Sequence, residues 1–406
     1  MKEQLELLAP AGNIECLNTA FYFGADAVYL SGKAYGLRAF ADNFSLEDLT
    51  EACRKAHAMK KKVYLASNAV FHEDDFTGFD EYLKQVNKAG IDALIISDPG
   101  VVLAAKETLP DMPIHLSTQA STTNAHAVKF WHKIGISRII VAREAGLSDI
   151  RRMKDAVPEM ELEAFVHGAM CISYSGRCLF SDFTTGRSGN KGECAQPCRW
   201  QYYVQEEKDG ALFPVFGDER GTYLFNSKDL MMIEHMDKLI DAGVTSFKIE
   251  GRMKSAYYVG SVVRLYRAEI DKVLREGKAY TFDNAVLEEM AKCGTREYTT
   301  GFFLGNPMGE GQDLVHTADL KPSIFIARVL EDAADGKVTI EQRNKFILGD
   351  SLEAMNPNAS FPEFTVDSIV DSDGQAQESA PHPKQTLVIN CPHPLKKGDI
   401  LRKNQL

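Results

Sequence analysis

Short apolar runs recur along the chain as far as Glu250, with amphipathic stretches between them. Glu6–Ala9, Ala27–Ser31, Lys62–Ser67, Ala93–Ser97, Pro113–Thr118, Arg138–Ala142, Glu161–His167 and Ser246–Glu250 read as β-strands. Most are continuously apolar rather than alternating, which is the pattern of strands covered on both faces. The helices between them carry start and stop signals. Ser45 followed by Asp48 forms a near capping box, with Phe44 as its staple. Asn124 precedes the periodic positions Val128 and Trp131, and Gly135 ends that helix, as Gly24, Gly90 and Gly243 end others. Eight strands alternating with helices suit a closed parallel barrel or an open doubly wound sheet. The count of eight favours a (β/α)8, TIM-like barrel.

The rhythm breaks between the seventh and eighth strands, where about 80 residues intervene against roughly 25–35 elsewhere. The expected barrel, residues 1–275, therefore carries an insertion at about 169–224. Within it, Tyr202–Leu224 resembles a small hairpin around Asp209-Gly210. Ser255–Glu276 reads as a long helix, and 276–320 as a helical connector. From Pro322 the pattern becomes all-β. Ile324–Leu330, Lys337–Gln342, Phe364–Val370 and Thr386–Ile389 read as strands, Asp335-Gly336 as a hairpin turn, and Asp371–Lys384 as a loop. A small β-barrel-like domain over 321–406 follows.

The length of 406 residues fits this arrangement of a barrel plus a smaller module. The formal net charge of -11 excludes a chain that binds nucleic acid over its whole surface, so contact with RNA requires a local basic patch. The N-terminus is charged where a signal peptide needs an apolar core, and no run of about 18 apolar residues offers a membrane span. The expected compartment is the cytoplasm. Its reducing conditions make structural disulfides among the eight cysteines unexpected.

Four of those cysteines stand alone, at 16, 53, 293 and 391. Cys171, Cys178, Cys194 and Cys198 crowd into one segment, with spacings x6, x15 and x3. Four thiolates so close in sequence can share one centre, and soft thiolates suit zinc, copper(I) or an iron–sulfur cluster. Spacing alone leaves a structural zinc site, or four unrelated thiols, as alternatives. Gly176, Gly186, Gly189 and Gly192 let the loop fold tightly, and Arg177, Arg187, Lys191 and Arg199 outnumber Asp182 and Glu193.

Other strand ends send Asn68, Asp98, Gln119, Arg143, Glu144, His167 and the run Lys248-Ile249-Glu250-Gly251-Arg252 to the same face. That is the face where barrel active sites form. Arg143, His167, Lys248, Glu250 and Arg252 are the candidate catalytic residues, and several cations together suit an anionic small molecule. Taken singly, each is more readily a strand-end salt bridge, and their convergence is what points to a site. Protease motifs are missing: His72-Glu73 lacks the second histidine of a zinc site, and Gly186-Arg187-Ser188-Gly189 is not a nucleophile elbow.

Glu163-Ala-Phe165-Val-His167-Gly168-Ala-Met-Cys171, Gly176-Arg-Cys178 and Ser181 resemble the signature of the collagenase-like peptidase family U32. Leu8-Ala9-Pro10-Ala11-Gly12, Cys194-Ala-Gln-Pro-Cys198-Arg199, Asn226-Ser-Lys-Asp229-Leu, Lys248-Ile-Glu-Gly-Arg-Met-Lys254 and Glu341-Gln342-Arg343-Asn344 extend the likeness over nearly the whole chain. One departure is Phe180, where the signature has a smaller aliphatic residue.

The resemblance implies a [4Fe–4S] cluster on Cys171, Cys178, Cys194 and Cys198. It also implies hydroxylation chemistry: of the wobble uridine of tRNA in association with prephenate, of a cytidine in 23S rRNA, or of ubiquinone by paired subunits. Length and the single β-module place the chain nearest the tRNA branch, with the single-stranded anticodon loop as partner. Local cations for its phosphates are expected from the cysteine loop, Arg252, Lys254 and the basic tail of Lys396, Lys397, Arg402 and Lys403; the tail's other reading is a frayed terminus. A partner subunit is expected to help an acidic chain grip RNA. The alternatives are peptidase activity on collagen-like chains and a non-catalytic scaffold.

Overall fold

Strands that are apolar on most positions need both faces covered, and a sheet closed on itself inside a ring of helices supplies that cover. The computed structural model describes residues 5–35, 43–171, 173–174, 178–187, 194–200, 204–205, 212–213, 217–218, 221–222, 227–294, 296–307, 311, 322–358 and 360–405. Eight parallel strands form its centre: β1 (Glu6–Pro10), β2 (Ala27–Leu30), β3 (Lys62–Ala66), β4 (Ala93–Ile96), β5 (Ile114–Leu116), β6 (Arg138–Ile140), β7 (Glu161–Gly168) and β8 (Ser246–Ile249). β8 bonds to β7 on one side and β1 on the other, so the ring closes and the open sheet is excluded.

Helices α1 (Ile14–Tyr22), α2 (Leu46–Ala58), α3 (Phe79–Lys88), α4 (Pro99–Thr108), α5 (Ala125–Lys133) and α6 (Leu147–Ala156) alternate with the first seven strands. The capping box at Ser45 and Asp48 is complete, and Asn124 Oδ1 accepts the Ala127 N–H. After β7 come α7 (Phe180–Thr185) and α8 (Met236–Asp241); after β8 comes α9 (Ala256–Glu276). Among the described residues no helix is long and apolar enough to cross a membrane.

Directly paired residues of parallel strands face the same side, so the register identifies the barrel lining. That lining is charged. Arg138 lies 2.7 Å from Glu161 and 3.2 Å from Glu163, and Lys248 Nζ lies 2.7 Å from the other Glu163 oxygen. Burial raises the Glu6 carboxyl, but the Arg138 charge and hydrogen bonds from Arg138, Tyr64 and Ser246 outweigh it and hold the group below its ordinary range.

Two short strands depart from the expected order. Asp229–Met231 runs antiparallel to the end of β7, and Tyr298–Thr299 pairs with it in turn. The connector expected to be helical over 276–320 holds only one α-helix among its described residues, α10 (Ala285–Ala291). The hairpin expected at Asp209-Gly210 has its flanks, Val204–Gln205 and Leu212–Phe213, paired antiparallel; the turn itself lies outside the described residues.

The C-terminal module is a seven-stranded antiparallel sheet. Ile400–Asn404 is an interior strand between Ser323–Val329 and Ser351–Met355. That corrects the basic tail. Arg402 is fully buried, Lys403 Nζ is 2.6 Å from Asp350, and Lys396 Nζ is 2.9 Å from Asp332. Arg402, Lys403 and Lys396 are thus held by carboxylates of the module and, through Glu289, of α10, and the segment is an ordered strand rather than a frayed end.

Candidate functional site

β6, β7 and β8 deliver Arg143, Phe165, Lys248 and Glu250 to the same quarter of the barrel mouth. Phe165 lies between two cations, with the Arg143 guanidinium 4.1 Å and Lys248 Nζ 5.3 Å from its ring centre. Arg143 Nη2 stands 3.8 Å from Glu250 Oε2, a loose pair that an incoming carboxylate can replace. Lys248 also lies over Tyr29 and is committed to Glu163, so its charge belongs to the barrel lining. Arg252 is buried, with Nη2 donating to Asn43 Oδ1 at 2.9 Å.

Across the mouth, Asn68 Nδ2 donates to Gln119 Oε1 at 3.0 Å, while Asn68 Oδ1 is buried with no partner among the described residues. Asp98 is taken by local structure, capping α4 through the Gly100 and Val101 amides. Glu144 is half-buried near Arg143 in sequence.

The structure separates His167 from the other candidates. The β7–β8 register shifts between Lys248 and Ile249, so Lys248 pairs with Phe165 and Ile249 with His167. The His167 ring lies against Tyr258 and Tyr266 of α9 and against Tyr298. Burial, with Lys254 adding to it, pushes this histidine down to about 3. It is a neutral packing group behind the wall.

The cysteine segment begins just beyond β7, at the mouth. All four of its cysteines are free thiols. Sulfur on Cys178 accepts the Phe180 N–H at 3.3 Å, and sulfur on Cys194 accepts the Gln196 N–H at 3.4 Å. The Ser173 amide serves Cys171 in the same way. Burial raises the Cys171 thiol, and charge on Cys178 and Cys194 adds to that; the Ser173 amide and Arg143 oppose it. Three thiols and Arg143 thus share one electrostatic neighbourhood. The second half of the segment folds back on the first, because the turn Pro197–Arg199, which holds Cys198, packs on α7 and the Ala195 amide donates to Ser181 Oγ at 3.0 Å. Among the described residues no three Cys, His, Asp or Glu side chains gather as ligands of a single ion. Three of the four, Cys171, Cys178 and Cys194, receive an amide from two residues on, a contact that favours the thiolate and that burial outweighs at Cys171.

A family model described as peptidase family U32 matches residues 12–313, and one for the family's C-terminal domain matches residues 321–402. The chain belongs to peptidase family U32. It is 38% identical over 401 residues to tRNA hydroxylation protein P1 of Bacillus subtilis (strain 168), covering 98% of this chain and 95% of that protein. It is 36% identical over 432 residues to tRNA hydroxylation protein P of Escherichia coli (strain K12), covering 96% and 94%. The 23S rRNA 5-hydroxycytidine C2501 synthase of Escherichia coli (strain K12) is 36% identical over 273 residues, which are 67% of this chain but 40% of that protein.

Two U32 motifs far apart in sequence meet here. A Cβ on Gly12 would sit 2.0 Å from the Arg252 carbonyl oxygen, so the β1–α1 turn and the strand end after β8 touch through backbone. Cys16 Sγ completes the contact, 3.7 Å from the Lys254 carbonyl. The family motif at Asp229 is the strand that braces the exit of β7 beside Gly168. Sequence reasoning did not assign site roles to Phe165, Tyr29 or Asn43. Phe165 stands in the family signature and was legible there; Asn43 carries no motif.

Proposed function

We propose that this U32 chain hydroxylates uridine at the wobble position of tRNA, with a [4Fe–4S] cluster held by Cys171, Cys178, Cys194 and Cys198. The observation that carries the reading is the row of amide-supported sulfurs at the barrel mouth beside Arg143. The relatives named for tRNA hydroxylation, similar over nearly their full length, supply the substrate class.

A pyrimidine carbon is hydroxylated only with redox capacity that no side chain here has; the bound cluster supplies it. The chain's own residues do the rest. Arg143, held on the Phe165 face and weakly paired to Glu250, offers its guanidinium to an anionic co-substrate such as prephenate. Glu250 accepts that guanidinium when the mouth is empty of ligand, and Asn68 and Gln119 present amides from the opposite wall. Lys248 and Arg138 against Glu163 and Glu6 keep the lining electrically balanced below them. An unpaired loop base can reach the mouth without the cost of opening a duplex.

The test is mass spectrometry of tRNA and rRNA nucleosides from a deletion strain carrying either the wild-type gene or Cys171→Ala. Loss of 5-hydroxyuridine-derived nucleosides on deletion, restored by wild type but not by the variant, is expected. Unchanged tRNA nucleosides with loss of 5-hydroxycytidine would transfer the reading to rRNA, and no change in either would remove it. Purified anaerobic protein should be brown with about four irons per chain.

A further inference from the structure

Large apolar side chains stand in water beside the thiols. Leu179 is 72% exposed and Phe183 87%. The Phe183 N–H donates to the Leu179 carbonyl at 2.9 Å, so the two lie one helical turn apart on one face of α7. The hydroxyls of Thr184 and Thr185 turn back to the Phe180 and Ser181 carbonyls, each at 2.7 Å, and do not hydrate that face. Trp200 is exposed directly after the turn that packs on α7, and Tyr174 is exposed on the same segment. Exposed apolar faces of this kind serve a partner.

Charge selects the partner. The whole chain carries -11, yet residues 171–200 hold four Arg or Lys against one Asp and one Glu. In sequence each exposed aromatic has a cation within four residues: Tyr174 and Arg177, Phe183 and Arg187, Trp200 and Arg199. The core of a protein–protein contact is depleted of charge. Rings alternating with cations match a single strand whose bases stack while its phosphates are neutralised.

We propose that Phe183 and Trp200 form a stacking platform for unpaired bases of an RNA loop, with Leu179 extending its apolar surface, flanking the base that enters the barrel mouth. The inference rests on the RNA-modifying reading above.

The experiment is fluorescence anisotropy on the purified holoprotein with an anticodon stem–loop RNA and a fully paired RNA of equal length, across a salt series. Wild type should prefer the stem–loop. Phe183→Ala and Trp200→Ala should each weaken that binding about 5- to 100-fold without changing the dependence of affinity on salt. Arg187→Gln should lower the salt slope by about one. Both side chains are exposed, so the variants should melt as wild type does. Tight wild-type binding that neither aromatic variant weakens would overturn the platform and leave the hydroxylase reading standing. Wild type that binds no RNA would overturn the platform and leave the hydroxylase reading to the nucleoside measurement. A Phe183→Ala protein whose mass by light scattering falls while its RNA affinity holds would make this face a protein interface and overturn the proposal.

Discussion

His167 shows how a single backbone irregularity changes the meaning of a side chain. It was legible in sequence as a polar residue at a strand end, and four residues later comes the first clustered cysteine. Strict alternation along β7 would turn it inward beside Phe165. The register shift opposite Lys248 and Ile249 sends it among three tyrosines instead. A one-residue bulge has no periodic signal, which is why the sequence did not reveal it. The consequence is measurable. Folded His167 resists protonation down to about 3, whereas an unfolded histidine takes up its proton near 6.5. Its contribution to stability is therefore complete above pH 6.5 and declines below it, by about 1.4 kcal/mol for each pH unit. His167→Phe should lose less stability than wild type between pH 7 and pH 5, measured by urea unfolding at both. His115, also buried and pushed down, acts equally in both proteins. Equal losses in the two would show that His167 is not held neutral.

At the scale of elements, the eight barrel strands were plain because cover on both faces makes most of their positions apolar, even where Glu163 or Lys248 interrupts the run. Asp229–Met231 and Tyr298–Thr299 were not, since three and two residues are too few to show a period. The close approach of the β1–α1 turn to Arg252 was equally hidden. Gly12 showed only as a residue of a motif, and its reason is a carbonyl more than two hundred residues away in sequence. Gly12→Ala places a methyl against backbone that cannot rotate aside. It should cost about 1–3 kcal/mol and open the mouth. Thermal melting together with protease nicking after Arg252 is the check, and a variant as stable and as resistant as wild type would show that the turn yields freely.

For the whole molecule, the change to an all-β pattern after Pro322 marked the second module, but nothing in the sequence told how it sits. Arg402 joins the units: it is fully buried, with Nε 2.8 Å from Glu353 and Nη2 paired to Glu289 of α10. Tyr22 of α1 adds a hydrogen bond to Asp399 at 2.8 Å. The Arg402 and Lys403 charges had suggested an RNA contact, because a cation buried by another unit looks the same in sequence as one in water. Arg402→Met removes the buried cation between Glu289 and Glu353 and leaves them Lys292, with Arg264 on Glu289, which should cost about 1–3 kcal/mol. Calorimetry should then show two melting transitions where wild type shows one; a single unshifted transition would mean that the salt-bridge network does not couple the units.

The antiparallel pairing of Leu230 with Gly168 brings the two ends of the cysteine-bearing excursion to about 5 Å apart. A loop whose neck is zipped in this way makes no demand on the span between its anchors. The barrel can close before any inorganic centre is assembled, and the excursion can lengthen, shorten or be exchanged between homologues like a cartridge, with the ring beneath it unaltered.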